Sequence, residues 1–238
     1  MSTAAKYFRT SFSWIEWAVT FLLVCILASL FFAAIGCGCG GSAGQITKSI
    51  ANCRQIIIAM RLYAADHAGA YPDSKVPSAI DSNVVFRELI KSGALEDEKI
   101  FGCGASRYTP DGLIGAAPEY ADAVTPGENH WAMTKGLDDS SPGGIPLVFE
   151  NPADATWSPT WNPDMAGRNV KGRTWSGGKV IIGTNDTSVE LMKLTSPKGT
   201  RVPLKPYGVE GKNLFEQYLD NPDDTTYEIL DIASEPSA

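Results

Sequence analysis

QITKSIANCRQIIIAMRLYAADHAGAYP, residues 45–72, reads as one amphipathic helix followed by its stop. Ile46, Ile50, Cys53, Ile57, Met60 and Ala64 recur at alternating steps of four and three, which places them on a single apolar stripe. Lys48, Asn52, Gln55 and Arg61 fall mainly elsewhere. Thr47 or Gln45 is the expected start. Gly69 supplies a helix C-cap, and Pro72 cannot continue the helix. A stripe of this kind needs a partner surface, and the simplest one is the face of a sheet.

The chain downstream supplies that sheet. A second helix is predicted over residues 83–92, with Asp81 or Ser82 as its cap and Gly93 as its stop. Residues 129–134 and 145–150 are predicted strands joined by a polar connection over 136–144. Residues 179–183 and 188–194 read as a hairpin around Asn185-Asp186, residue types that tolerate positive φ. The long irregular loop 151–178 holds Trp157, Trp161 and Trp175, which serve either as an exposed binding face or as a lid folded back over the sheet. A short helix is expected over 213–219, and residues 234–238 form a frayed tail. The predicted class is α+β, an amphipathic helix packed on a small antiparallel sheet.

Upstream, FSWIEWAVTFLLVCILASLFFAAI, residues 12–35, carries no charge after Glu16. At about 1.5 Å rise per residue it is long enough for a hydrocarbon core of roughly 30 Å, so a transmembrane helix is expected. Lys6 and Arg9 precede it, which implies a cytoplasmic N-terminus and an exported remainder. The predicted layout is a basic leader or stub over 1–11, a span over 12–35, a Gly/Cys hinge over 36–44 and a globular domain over 45–233. Ala34-Ile35-Gly36-Cys37 also loosely matches a lipoprotein cleavage box, which makes Cys37 an alternative lipidation site.

Phe12-Ser13-Trp14-Ile15-Glu16 resembles the start of type IV pilins and type II secretion pseudopilins, where a short basic leader precedes a long apolar helix. Asn52-Cys53-Arg54-Gln55 and Tyr63 to Pro72 are similar to a block found after that start in a pseudopilin-like group. The resemblance implies a pilin-like fold with an N-terminal transmembrane helix. It also implies cleavage between Ser11 and Phe12, and a role for Glu16 in pairing with a neighbouring subunit's terminal amine. The implied partners are other pilin-like subunits, the inner-membrane assembly machinery and membrane lipid. The implied location is single-pass in the inner membrane. Ser11 stands where the family has Gly, and the glycines of 36–44 interrupt its continuous helix. Those departures support a second reading, a permanently anchored or lipidated surface-binding protein that uses the Trp-rich loop.

Charge and motifs narrow the remaining chemistry. With 27 acidic against 20 basic residues and a net charge of −7, no basic cluster in the soluble part points to nucleic acid. Cys53 and Cys103 are either a disulfide pair of an exported domain or two small buried side chains. His67 and His130 lie in no metal-ligand spacing, and no nucleophile elbow, phosphate loop or Cys-x-x-Cys is present. Asp138-Asp139 and Asp223-Asp224 raise calcium but lack the ligand spacing of a calcium loop. The expectation is a structural subunit, not an enzyme, with no cofactor and no metal.

Overall fold

The computed structural model describes residues 14, 17–25, 42–207, 211–218 and 227–233. It divides into two compact units, residues 1–41 and 42–238. In the first, residue 14 and residues 17–25 are helical, and their large apolar side chains are exposed.

The spanning helix expected over 12–35 is overturned: among the described residues no helix is long and apolar enough to cross a membrane. Residues 17–25 would extend only about 13 Å against roughly 30 Å of hydrocarbon. The helix Ser42–Asp66 has 25 residues but carries Lys48, Arg54, Arg61 and Asp66. The single-pass inner-membrane placement rested on that span and falls with it. Ser11, Phe12, Glu16, Cys37 and the hinge up to residue 41 lie outside the described residues, as does the expected tail 234–238.

The second unit begins with α1, Ser42–Asp66, so the last three residues assigned to the hinge are the helix's first turn. Cys53, Ile57, Met60 and Ala64 of the predicted stripe are buried, joined by Ile56 and Tyr63. Gly69 closes the helix at φ +87°, its N–H donating to the Ala64 carbonyl at 2.9 Å. Helix α2, Ser82–Lys91, is capped by Asp81, whose carboxylate accepts from the Val84 N–H at 3.1 Å.

Five antiparallel strands form the main sheet in the order β5-β4-β2-β1-β7. They are β1 Trp131–Lys135, β2 Pro146–Glu150, β4 Lys179–Thr184, β5 Val189–Lys193 and β7 Glu228–Leu230. A small ladder pairs β3, Thr160–Trp161, with β6, Val202–Pro203. Period-two alternation sends Trp131, Met133, Leu147 and Ile181 toward α1 and α2, and Ala132, Phe149, Val180 and Ile182 to the other side.

That other side is also covered, in keeping with the reading of the Trp-rich loop as a lid folded back over the sheet. Trp161, Phe215, Val202 and Leu204 pack there, with Trp157 at the margin. Phe215 is delivered by a turn rather than the expected helix: Asn213 Oδ1 accepts from the N–H groups of Phe215 and Glu216. In the β4–β5 hairpin the positive φ falls at Thr187, at 71°. Asn185 is fully buried instead, donating to the carbonyls of Asp138 and Ser141 and accepting from Tyr71.

Candidate functional site

The helix-facing core contains charge. Cys103, His130 and Glu150 bring one ligand-type atom each to within 4.8 Å of one another, and all three are buried. Arg173 joins them, its Nη2 standing 3.1 Å from Cys103 Sγ and 3.4 Å from Glu150 Oε1. Four separate segments therefore meet at one point: the loop after a 3-10 turn at Glu98–Phe101, the entry to β1, the end of β2, and the Trp-rich loop.

Local structure explains each position. The β1–β2 pairing sets Trp131 opposite Glu150, which brings His130 alongside the end of β2. The His130 N–H donates to the Phe101 carbonyl at 2.9 Å and anchors the loop that carries Cys103. Asn52 reaches from α1 to the Gly102 carbonyl at 3.0 Å, and Ser49, one turn earlier, meets Cys103 Sγ at 3.1 Å. Asn52, which the periodicity placed off the stripe, is thus a buried tether. Residues 162 and 173 form a parallel bridge and residues 175 and 179 an antiparallel one, which fixes Arg173 between them.

Glu150 is the hub. Its Oε1 accepts from His130 Nε2 at 3.1 Å, from Trp175 Nε1 at 3.0 Å and from Arg173, while Oε2 accepts from the Ile181 N–H at 3.0 Å. A buried carboxylate requires such a shell. Nδ1 of His130 faces Ser106 Oγ at 2.9 Å and the Asn151 amide at 3.0 Å. Asn151 cannot be turned round, since its Oδ1 accepts from Gly172 N–H and its Nδ2 donates to the His130 carbonyl. The Nε2 proton of His130 therefore points at Glu150, while Nδ1 receives the Asn151 amide in the neutral ring and, once protonated, donates to Ser106 Oγ instead.

Electrostatics couples thiol and ring. Burial pushes the Cys103 thiol up, but the neighbouring His130, with help from Arg173, outweighs it and holds the thiol below its ordinary range. Burial likewise works against a charge on His130, and the Cys103 thiolate with the Glu150 carboxylate raises the ring to about 9. Each shift eases transfer of the thiol proton onto the ring. Arg173, 1% exposed, stacks on Trp175 with its guanidinium carbon 4.5 Å from the ring centroid. Its Nε and Nη1 have no hydrogen-bond partner among the described residues.

Cys103 also lines an open pocket of about 390 Å³ together with Lys48, Asn52, Lys99, Ser106 and Tyr108. A thiol, an imidazole and a carboxylate are a familiar metal donor set. Here the Arg173 guanidinium already contacts both the sulfur and the carboxylate, so a cation would have to displace it. A second acidic group, Glu98, Asp111 and Glu128, spends its carboxylates on backbone N–H groups of residues 112, 124, 111, 125 and 113, and so stitches the loop 97–128 together. Asp138, raised above as a calcium candidate, accepts from Ser140 and Ser141, while residues 223–224 lie outside the described residues.

The other singled-out residues sit as follows. Cys53 and Cys103 are free thiols, with Cys53 Sγ turned to the Val148 carbonyl at 3.4 Å. Trp161 and Trp175 are buried and Trp157 is half-buried, its Nε1 donating to the Phe215 carbonyl. The loop is a lid that delivers Arg173, not an exposed aromatic face. Glu150 and Arg173 were missed in the sequence. The available signal was a lone Glu closing the apolar strand Pro146–Glu150. No family model, curated protein or solved structure matches this chain.

Proposed function

We propose that the chain is a pilin-like structural subunit that assembles with further pilin-like subunits through its apolar N-terminal segment. The observation that carries this reading is the surface of that segment. Trp14 is 79% exposed and Phe21 72%, and Trp17, Leu22, Leu23 and Val24 are each more than half exposed. Contiguous apolar surface of this kind is rarely left to water, and a second copy of the same segment is a self-complementary cover. The resemblance of residues 12–16 and 52–72 to pilin-like proteins supports the same reading. In the folded unit that second block supplies tethers: Asn52 to Gly102 and Tyr71 to Asn185.

Cys25 is a free, exposed thiol within the segment and reports on contact between copies. In a Cys37→Ser, Cys39→Ser background, oxidation of the purified full chain should yield a Cys25-linked dimer, and sedimentation should show a large species. Leu23→Glu should abolish both, and Glu16→Ala should weaken both. A chain that sediments as a monomer with the segment intact, and forms no Cys25 crosslink, would defeat the proposal.

A further inference from the structure

We propose that Cys103 is a peroxide-reactive site: its sulfur, held against Ser49, His130 and Arg173 at the wall of an open pocket, attacks a small peroxide and becomes a sulfenic acid. Three independent features converge on this sulfur. It makes two polar contacts at 3.1 Å, with Ser49 Oγ and with the cationic Arg173 Nη2. Arg173 is buried with Nε and Nη1 unpartnered among the described residues, so its guanidinium spends its contacts on Cys103 Sγ and Glu150 Oε1 through Nη2. The pocket at Cys103 is ample for a small molecule and is flanked by two lysines.

The groups against the thiol are His130 before β1, Glu150 at the end of β2 and Arg173 in the lid loop, while Lys48 of α1, Lys99 of the 3-10 turn and Tyr108 line the pocket. Arg173 is a fixed cation and His130 can take up a proton, and the one carboxylate is shared among His130, Trp175, Arg173 and the Ile181 N–H. The balance therefore favours an ionised sulfur. By contrast, Cys53 is fully buried and touches the Val148 carbonyl.

The chemistry closes on itself. The thiol proton passes to the His130 ring. The thiolate then attacks one oxygen of hydrogen peroxide, forming an S–O bond as the O–O bond breaks. The departing hydroxide takes the proton held by His130 and leaves as water. Sulfur is oxidised by two electrons, the peroxide is reduced, and Cys103 becomes Cys–SOH. This site is independent of the assembly proposal.

The test treats the full chain with hydrogen peroxide in the presence of dimedone and follows the Cys103 peptide by mass spectrometry from acid to mildly alkaline pH. The urea-unfolded chain serves as reference. In the folded protein the dimedone adduct should form at Cys103 several-fold faster at neutral pH than in the unfolded chain, and its pH midpoint should lie lower. His130→Asn should move that midpoint up to the unfolded reference or beyond. Ser49→Ala, a milder change, should slow the reaction while circular dichroism stays unchanged. No adduct at Cys103 in the folded wild type, or an adduct whose rate and midpoint match the unfolded chain, would overturn the proposal.

Discussion

Cys53 and Cys103 are buried thiols beside the same helix, and their surroundings push them in opposite directions. Cys53 lies among Ile57, Gly183 and the Val148 carbonyl, where burial first and the Glu150 charge second hold its pKa well above the ordinary value. Cys103 meets Ser49, one helical turn before Cys53, and the His130–Arg173 pair overcomes the burial of its thiol. Burial alone keeps a thiol neutral, and burial beside fixed cations can ionise it. The difference lies in which residues the strand pairing and the lid loop deliver to each sulfur.

The most damaging way to erase the difference is to remove its hub. Glu150→Gln leaves Arg173 as an uncompensated buried charge and disturbs the acceptor for Trp175, His130 and the Ile181 N–H. The expected loss is about 3–5 kcal/mol, the usual cost of breaking a buried ion pair from one side. Urea titration would measure it. Glu150→Leu combined with Arg173→Leu should lose less than Glu150→Gln, because no orphan charge remains. Equal losses would mean that the charges contribute only by packing.

The apolar side can be tested by crowding. A Cβ at Gly183 would lie 2.4 Å from Ile57 Cδ1, 2.8 Å from Cys53 Sγ and 3.1 Å from the Val148 carbonyl oxygen. Gly183→Ala should therefore cost about 1–3 kcal/mol. In a Cys53→Ala background part of that cost should vanish, since one of the three clashes is gone and the two sites share a space. Strict additivity of the two losses would show that the helix shifts as a whole and that Cys53 is not the contact.

The apolar environment was legible in the sequence and the charged one was not. The stripe from Ile46 to Ala64 is periodic, so a helical face can be read from spacing alone, and Asp81 and Gly93 mark α2 in the same local way. Strand pairing of residues 131–135 with 146–150 and of 179–184 with 189–193 follows from short apolar runs near in sequence. The charged centre joins Ser49, Cys103, His130, Glu150 and Arg173, and no local period relates them. Only the sheet register and the return of the lid loop bring them together. The second core was legible as far as the lid reading of the Trp-rich loop, but not the part played by Phe215, which meets Trp161 across a long separation in chain. The apolar run 12–35 misled because its composition suits a bilayer, whereas the described helix covers only residues 17–25 of it.

Tyr71 extends the comparison to a third buried ionisable group, and it belongs with Cys53. Burial, opposed by Arg61, pushes its phenol up to about 12 from an ordinary 10.0. Its hydroxyl donates to Asn185 Oδ1 at 2.6 Å, the contact that fixes the β4–β5 turn against the end of α1. Tyr71→Phe should cost about 1 kcal/mol at neutral pH, the net worth of a typical internal hydrogen bond. The sign of the pH dependence follows from the direction of the shift. Between pH 10 and 12 the unfolded chain gives up the phenolic proton while the folded chain keeps it, so this group's contribution is fully present below 10 and is lost as pH rises through 12. The stability gap between wild type and Tyr71→Phe should accordingly narrow across that window in urea titrations. A gap that stays constant would mean that the phenol ionises as readily in the fold as in the open chain, and that burial at this position does not act as it does at Cys53.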